Sequence, residues 1–337
     1  MAVKVGINWF GRIGRMVLRA LVESKRVDVD IVAINDLAPF QSSIHLLRYD
    51  SVHGTFGVPM NFDEESQLLS IQHRTIKILS ESNPEAIAWK DLGVDIVLEC
   101  SGAFTSKQKA QAHLVGGAKK VLISAPADNV DKTIVYGVNH TTLEKGDIIV
   151  SNASCTTNCL APMVKVLDDL VGVTKGYMTT IHSYTGDQRL IDTNHKDLRR
   201  ARAGALNMIP TSTGAAKAVA LVIPSMEGKL DGVAIRVPTP NVSMIDFKFV
   251  SEKNTTAQAL NNALVLAETK GPLVNVLGAV NLPLVSSDFN HNPLSSIVDL
   301  TQTSVVQWNL CRVVSWYDNE WGFSNRMLDV AAYMGTL

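Results

Sequence analysis

The run Val3-Lys-Val-Gly-Ile7, the turn Asn8-Trp9-Phe10-Gly11-Arg12-Ile13-Gly14-Arg15, and the run Val29 to Ile34 closing on Asn35-Asp36 decide the fold of this chain. The first run reads as a short apolar strand. After the turn, Val17, Leu18 and Leu21 fall at helical spacing. The third run reads as a second strand, ending in an acid. Strand, glycine turn, helix, strand and acid follow in the order of a βαβ unit that binds a dinucleotide. Asp36 lies 22 residues after Gly14. The usual interval is about 20 for a carboxylate that holds ribose hydroxyls. One element of the G-x-G-x-x-G fingerprint is missing, because Trp9 stands in place of the first glycine. That glycine serves a tight turn at a backbone angle that a bulky residue resists. By itself the turn is a weak signal, and simple strand–helix packing is the default reading.

The α/β alternation continues beyond this unit. Val94 to Glu99 and Lys120 to Ser124 read as strands, with a helix predicted over Ser106 to Leu114 between them. Such nearly continuous apolar runs suit a parallel sheet buried on both faces. The segment from about Val52 to Ile78 alternates more and is expected to form an antiparallel insertion. After a strand at Asp147 to Val150 the texture changes. Tyr177 to Thr185, Gly232 to Val237, Val242 to Val250, Ser296 to Thr301 and Ser304 to Trp316 read as alternating strands of a mostly antiparallel sheet. Helices are predicted over Ala215 to Val222, Thr256 to Thr269 and Asn319 to Met334. The expected architecture is α/β plus α+β. Residues 1–150 form a first domain, 151–318 a second, and a C-terminal helix over about 319–337 returns to the first.

Bulk properties narrow the class. A chain of 337 residues exceeds one ordinary core, which favours two domains. Hydrophobic residues make up 46% and charged residues 19%, as in globular enzymes. A net charge of −1, with only the short basic cluster Arg199-Arg200-Ala201-Arg202, argues against nucleic acid or an anionic membrane as partner. No leader and no apolar span of about 20 residues is read. Four cysteines without a disulfide-like pattern fit a reducing, cytoplasmic setting.

The candidate chemistry centres on Ser151-Asn-Ala-Ser154-Cys155-Thr156-Thr157-Asn158-Cys159. Here the chain passes from a strand into a helix, which places Cys155 on the first helical turn. Unpaired N–H groups and the helix dipole favour an anion there, so a lowered thiol pKa is expected. The competing reading is a buried cysteine in a capping loop. Among the eight histidines, His182 stands at a strand end in a polar setting and is the candidate base, since Cys–His pairing activates a thiol. Metal ligation by Cys155 and Cys159 lacks further ligands; Cys159 reads as packing. Thr211-Ser-Thr213-Gly214 at a helix start suits a phosphate or is an ordinary cap. Arg236 inside an apolar strand calls for a partner or an anionic ligand. The long polar segment Gly186 to Asn207 is of a length usually reserved for function or interfaces.

Taken together, these residues resemble the phosphorylating glyceraldehyde-3-phosphate dehydrogenases. The resemblance runs through Asn8 to Arg15, Leu46 to Gly54, Ser151 to Cys159, His182-Ser-Tyr-Thr185, His195 to Arg202, Ile209 to Lys217, Arg236 to Ser243 and Trp316 to Gly322. It implies a Rossmann-type NAD-binding domain and a catalytic domain that turn glyceraldehyde 3-phosphate, NAD and inorganic phosphate into 1,3-bisphosphoglycerate. By this resemblance Cys155 is the nucleophile that carries a thioester, and His182 is the base. Thr185 and Arg236 hold the substrate phosphate; Ser154, Thr156, Thr213 and Gly214, with Arg200 nearby, hold the attacking phosphate. Gly11, Arg12, Ile13, Gly14, Asp36, Ser124 and Asn319 match cofactor contacts. A cytoplasmic homotetramer without a metal is implied. Departures from the pattern are Trp9, the absence of a basic residue in Glu81-Ser-Asn-Pro84, and Thr193-Asn194 where strictly NAD-using members often carry Leu-Pro. The last leaves room for some NADP use, against which Asp36 would repel a 2′-phosphate. Alternatives are an erythrose-4-phosphate dehydrogenase and a non-catalytic scaffold relative.

Overall fold

In the computed structural model, which describes residues 2–337, the first run forms strand β1 (Val3–Asn8) and the glycine turn leads into helix α1 (Arg12–Glu23). The chain returns as β2 (Val29–Asn35), parallel to β1, with Val3 opposite Val29 and Asn8 opposite Asn35. Met16, Val17, Leu18 and Leu21 of the helix are fully buried, as are Val5 and Ile7 of β1. Burying each such side chain stabilises the fold by about 1.5–3 kcal/mol. The close approach of helix and strand depends on Gly14. A methyl group there would lie 2.5 Å from the Trp9 carbonyl oxygen and 3.1 Å from Ile7 Cγ2.

Seven further strands complete this sheet: β3 (Met60–Asp63), β4 (Leu68–Ile71), β5 (Arg74–Leu79), β6 (Ile96–Glu99), β7 (Lys120–Ile123), β8 (Lys132–Thr133) and β9 (Ile149–Ser151). Their order is β8-β9-β7-β6-β1-β2-β5-β4-β3. The insertion between residues 52 and 78 is antiparallel where β3, β4 and β5 pair, but β5 runs parallel to β2 and so joins the sheet. The helix expected over Ser106 to Leu114 is broken into two short pieces, Lys107–Ala110 and Ala112–Val115.

The second sheet begins after helix α2 (Cys155–Val171). Its strands are β10 (Val173–Ser183), β11 (Ile209–Ser212), β12 (Leu230–Val237), β13 (Ser243–Ser251), β14 (Leu277–Val280), β15 (Ser296–Val306) and β16 (Leu310–Tyr317). The order is β11-β12-β10-β13-β16-β15-β14, and only β10–β12 and β14–β15 pair in parallel. Helices α3 (Ala215–Val222) and α4 (Ala257–Thr269) belong to this sheet's unit. The break between the last two strands lies at Gln307-Trp308, both with positive φ, rather than near residue 302 as the alternation predicts. Two consecutive left-handed residues make a tight hairpin turn, a geometry that alternation does not encode.

The chain divides into two units. The first holds the residues up to Ile134, His140–Ser154 and Ser324–Leu337; the second holds Val135–Asn139 and Cys155–Phe323. The last helix, α5 (Trp321–Gly335), is tied to the first unit from Ser324 onward. Arg26 pairs with its Asp329, and Lys120 Nζ donates to its Met334 carbonyl at 3.2 Å. Among the described residues no helix is long and apolar enough to cross a membrane.

Substituting Gly14→Ala tests the packing under the turn. Overpacking should cost about 1–3 kcal/mol of stability, read from the urea midpoint. An unchanged midpoint would show that helix and strand separate freely.

Candidate active site and cofactor turn

Strand pairing builds the site in the second unit. In the parallel ladder of β10 and β12, His182 lies opposite Arg236. Arg236 in turn faces Ile209 of β11. Two residues 54 apart in sequence therefore meet, and Arg236 Nη1 stands 2.7 Å from His182 Nδ1. Nη1 also donates to the Ser183 carbonyl at 3.1 Å. That carbonyl lies 2.7 Å from His182 Nδ1 and accepts from it when the ring proton sits there. In this tautomer the Nε2 lone pair faces Cys155 Sγ, 3.6 Å away; in the other, Nδ1 accepts from Arg236 Nη1 and the Nε2 proton faces the sulfur.

The electrostatics keep the pair neutral in the resting protein. Burial, then the Arg236 and Arg200 charges, lower the His182 pKa from 6.5 to about 3. Cys155 is pushed up by burial, against the pull of Arg236, the Thr156 hydroxyl and the backbone N–H groups of Thr156 and Cys155. This corrects the expected lowering of the thiol pKa. Cys155 does open the helix, but the first-turn dipole is outweighed by desolvation of the charged form. Cys159, buried at the next turn, is pushed up to about 12 by the same burial.

Other side chains lock this arrangement. Tyr317 Oη lies 2.9 Å from Thr156 Oγ1 and 2.8 Å from Thr180 Oγ1, and its ring meets the His182 ring edge-on at 5.9 Å. No sequence signal singled out Tyr317, because its role comes from bridging a helix start and a strand distant in sequence. Ser183 and Ser243 both donate to Asn319 Oδ1, at 2.8 and 2.9 Å, which fixes that amide. Arg200 donates to Thr211 Oγ1 at 2.9 Å, to the Ser212 carbonyl at 3.3 Å and to Asp187 at 3.0 Å. Thr185 is held by Gln188, whose Oε1 accepts from the Thr185 amide at 2.8 Å. Thr213 Oγ1 accepts from Ala215 N at 3.2 Å just ahead of α3, whose N-cap is Gly214, and a methyl at Gly214 would meet nothing within 4 Å. The buried Arg236 Nε has no hydrogen-bond partner among the described residues, which suits an anionic ligand.

The first unit holds the cofactor turn. Helix α1 has no side-chain cap at Gly11 and no acid in its first turn, which suits a pyrophosphate. Asp36 at the end of β2 is buried and accepts from Phe10 N at 2.9 Å and Ala38 N at 3.0 Å. Its carboxylate is thereby fixed beside the turn. Arg12 pairs with Asp50 rather than standing free. Ser124 follows β7, with its amide donating to the Glu99 carbonyl at 3.0 Å. Ser154 belongs to this unit, next to Ala153, which has a positive φ of 55°. The uncapped helix start, Gly14 and the placed carboxylate fit a dinucleotide. Among the described residues no cluster of three or more His, Cys, Asp or Glu is arranged to hold a metal.

Comparison with known proteins places the chain in a family. Residues 3–107 match the family model for the glyceraldehyde 3-phosphate dehydrogenase NAD binding domain, and residues 154–319 match that for its C-terminal domain. The chain belongs to the glyceraldehyde-3-phosphate dehydrogenase family. Over the full length of both chains it is 58% identical to the glyceraldehyde-3-phosphate dehydrogenase of Xanthobacter flavus and 57% to that of Cereibacter sphaeroides. It is 51% identical to that of Geobacillus stearothermophilus, covering all of this chain and 99% of that relative. The first domain is the family's NAD-binding domain, and NAD is the cofactor.

The buried neutral histidine has a consequence for stability. Its folded pKa, about 3, lies below the ordinary 6.5, so protons bind the unfolded chain more readily. The stability this ring carries is fully present above about pH 6.5 and is lost as the pH falls toward about 3. His182→Gln should flatten the loss of urea stability on acidification by on the order of a few kcal/mol. Superimposable profiles of the two proteins would contradict it.

Proposed function

We propose that Cys155 is the nucleophile and His182 the base in the oxidative phosphorylation of glyceraldehyde 3-phosphate to 1,3-bisphosphoglycerate. This glycolytic, NAD-dependent oxidoreductase activity on an aldehyde is that of the family. The observation that supports the roles is the 3.6 Å approach of Sγ and Nε2, with Nδ1 beside the Ser183 carbonyl. The sulfur attacks the aldehyde carbon while Nε2 takes the thiol proton, which restores a nucleophile that burial keeps protonated at rest. The resulting imidazolium steadies the oxygen of the hemithioacetal and gives it the proton, which returns the ring to neutrality and leaves it free to take that hydroxyl proton back during oxidation. Bound NAD supplies the hydride acceptor. The oxidised carbon remains on Sγ as a thioester, which inorganic phosphate cleaves, freeing the thiol. A thioester suits this step because it retains more of the oxidation energy than an oxygen ester.

Arg236, with its unpartnered Nε, and Thr185 are assigned to the substrate phosphate. Ser154, Thr156, Thr213, Gly214 and Arg200 are assigned to the attacking phosphate. Gly11, Arg12, Ile13, Gly14, Asp36 and Ser124 are assigned to NAD, and Asn319 to its carboxamide. The buried carboxylate of Asp36 disfavours the 2′-phosphate of NADP. We place the protein in the cytoplasm as a homotetramer. Support for assembly comes from the exposed Leu190, Ile191, Leu198, Leu206 and Met208, which line one segment with no core of its own.

Cys155→Ser should abolish phosphate-dependent NADH formation while leaving the calorimetric affinity for NAD within about twofold. Substantial residual oxidation would refute the nucleophile. A Leu190→Asp, Leu206→Asp double variant should shift the mass in light scattering below that of a tetramer. An unaltered mass would remove that segment from the assembly.

A further inference from the structure

Trp9 is the feature that the family's chemistry leaves unexplained. It adopts φ 76°, a left-handed angle at which a bulky side chain is strained. The backbone there cannot relax. The Trp9 amide donates to the Asn35 carbonyl at 2.8 Å. On the other side of the residue, the Phe10 amide donates to Asp36 Oδ2 at 2.9 Å. With both ends of the residue pinned, the angle sends the indole toward Gly11. Its Cδ1 and Nε1 lie 3.0 Å from the position of a Cβ on Gly11. In a dinucleotide-binding turn the second glycine lacks a side chain so that the pyrophosphate can approach that backbone. Here the indole covers the side of Gly11 from which a Cβ would project. Trp9 is 42% exposed and its indole makes no hydrogen bond among the described residues, so little holds it there against rotation about its side-chain bonds.

We propose that Trp9 is a gate on the cofactor's pyrophosphate site, closed in the free protein and swung into solvent when NAD binds. The inference rests on the reading of Gly11 to Gly14 as the pyrophosphate seat. A ligand that must wait for a minor conformer binds with its affinity reduced by that conformer's population. The strained turn has thus kept the backbone shape of the glycine fingerprint while adding a side chain that regulates access to it. The ring acts on binding, and on the release of NADH, rather than on the chemical step. It sets the cofactor concentration at which this enzyme saturates.

Calorimetry on the full-length protein tests the gate with three ligands: NAD, ADP-ribose and AMP. Glycine and asparagine both tolerate positive φ, so Trp9→Gly and Trp9→Asn remove the ring without straining the turn. Both variants should lower the Kd for NAD and ADP-ribose by about five- to tenfold, through faster association in stopped flow. AMP, which carries no pyrophosphate, should bind the variants as it binds the parent. Equal or weaker NAD binding in both variants, or an equal gain for AMP, would overturn the gate. Gly11→Ala in the Trp9→Gly background examines the seat separately. A methyl there should weaken NAD and ADP-ribose by tenfold or more, and unchanged binding would sink the seat and the gate with it.

Discussion

The parallel pairing of β10 with β12 is the constraint on which the catalytic unit depends. It sets His182 beside Arg236, and a guanidinium next to a buried imidazole permits only the neutral ring. With its one proton on Nδ1, a neutral ring turns an acceptor toward Cys155, which an imidazolium could not. The same register brings Arg236 next to β11 and so within the electrostatic reach of Arg200. A shift of one residue along this ladder would turn His182 to the opposite face of the sheet. The long, mostly antiparallel sheet is therefore the device that holds the His182 ring in place.

The thiol illustrates how competing terms decide a site. The helix start, the Thr156 hydroxyl and Arg236 all favour a thiolate, yet burial outweighs them in the resting protein. The sulfur is part-buried and protonated at rest, and under the role proposed for it becomes nucleophilic when the substrate and base are both in place. Tyr317 contributes by tying Thr156, at the start of the cysteine's helix, to Thr180 on the histidine's strand. Deleting one of its bonds would loosen the positions of both Cys155 and His182.

The cofactor turn shows that a broken fingerprint need not break the fold. Asn35 and Asp36 hold the chain around Trp9 in the shape expected of a glycine. What changes is the surface presented to a ligand. Strain of this kind persists only where surrounding contacts over-determine the backbone, and here they do.

Much of this protein was legible in its residues. Apolar runs and their periods revealed β1, α1 and β2, the helix that begins at Cys155, and the strand carrying Arg236, because local periodicity is a property of the chain itself. Cys155, His182 and Asp36 could be selected by residue type and setting. Other features required the tertiary structure. The split of the 106–114 helix and the Gln307-Trp308 turn depend on backbone angles that alternation does not report. The joining of β5 to β2, the Tyr317 bridge and the serines on Asn319 depend on partners far apart in sequence. The direction of the Cys155 shift was decided by burial, which exists only once the chain has packed. The sequence by itself determined which groups are present and on which local element each rides. The fold alone decided which of them meet, and how much water each retains, because distance and solvation arise from packing.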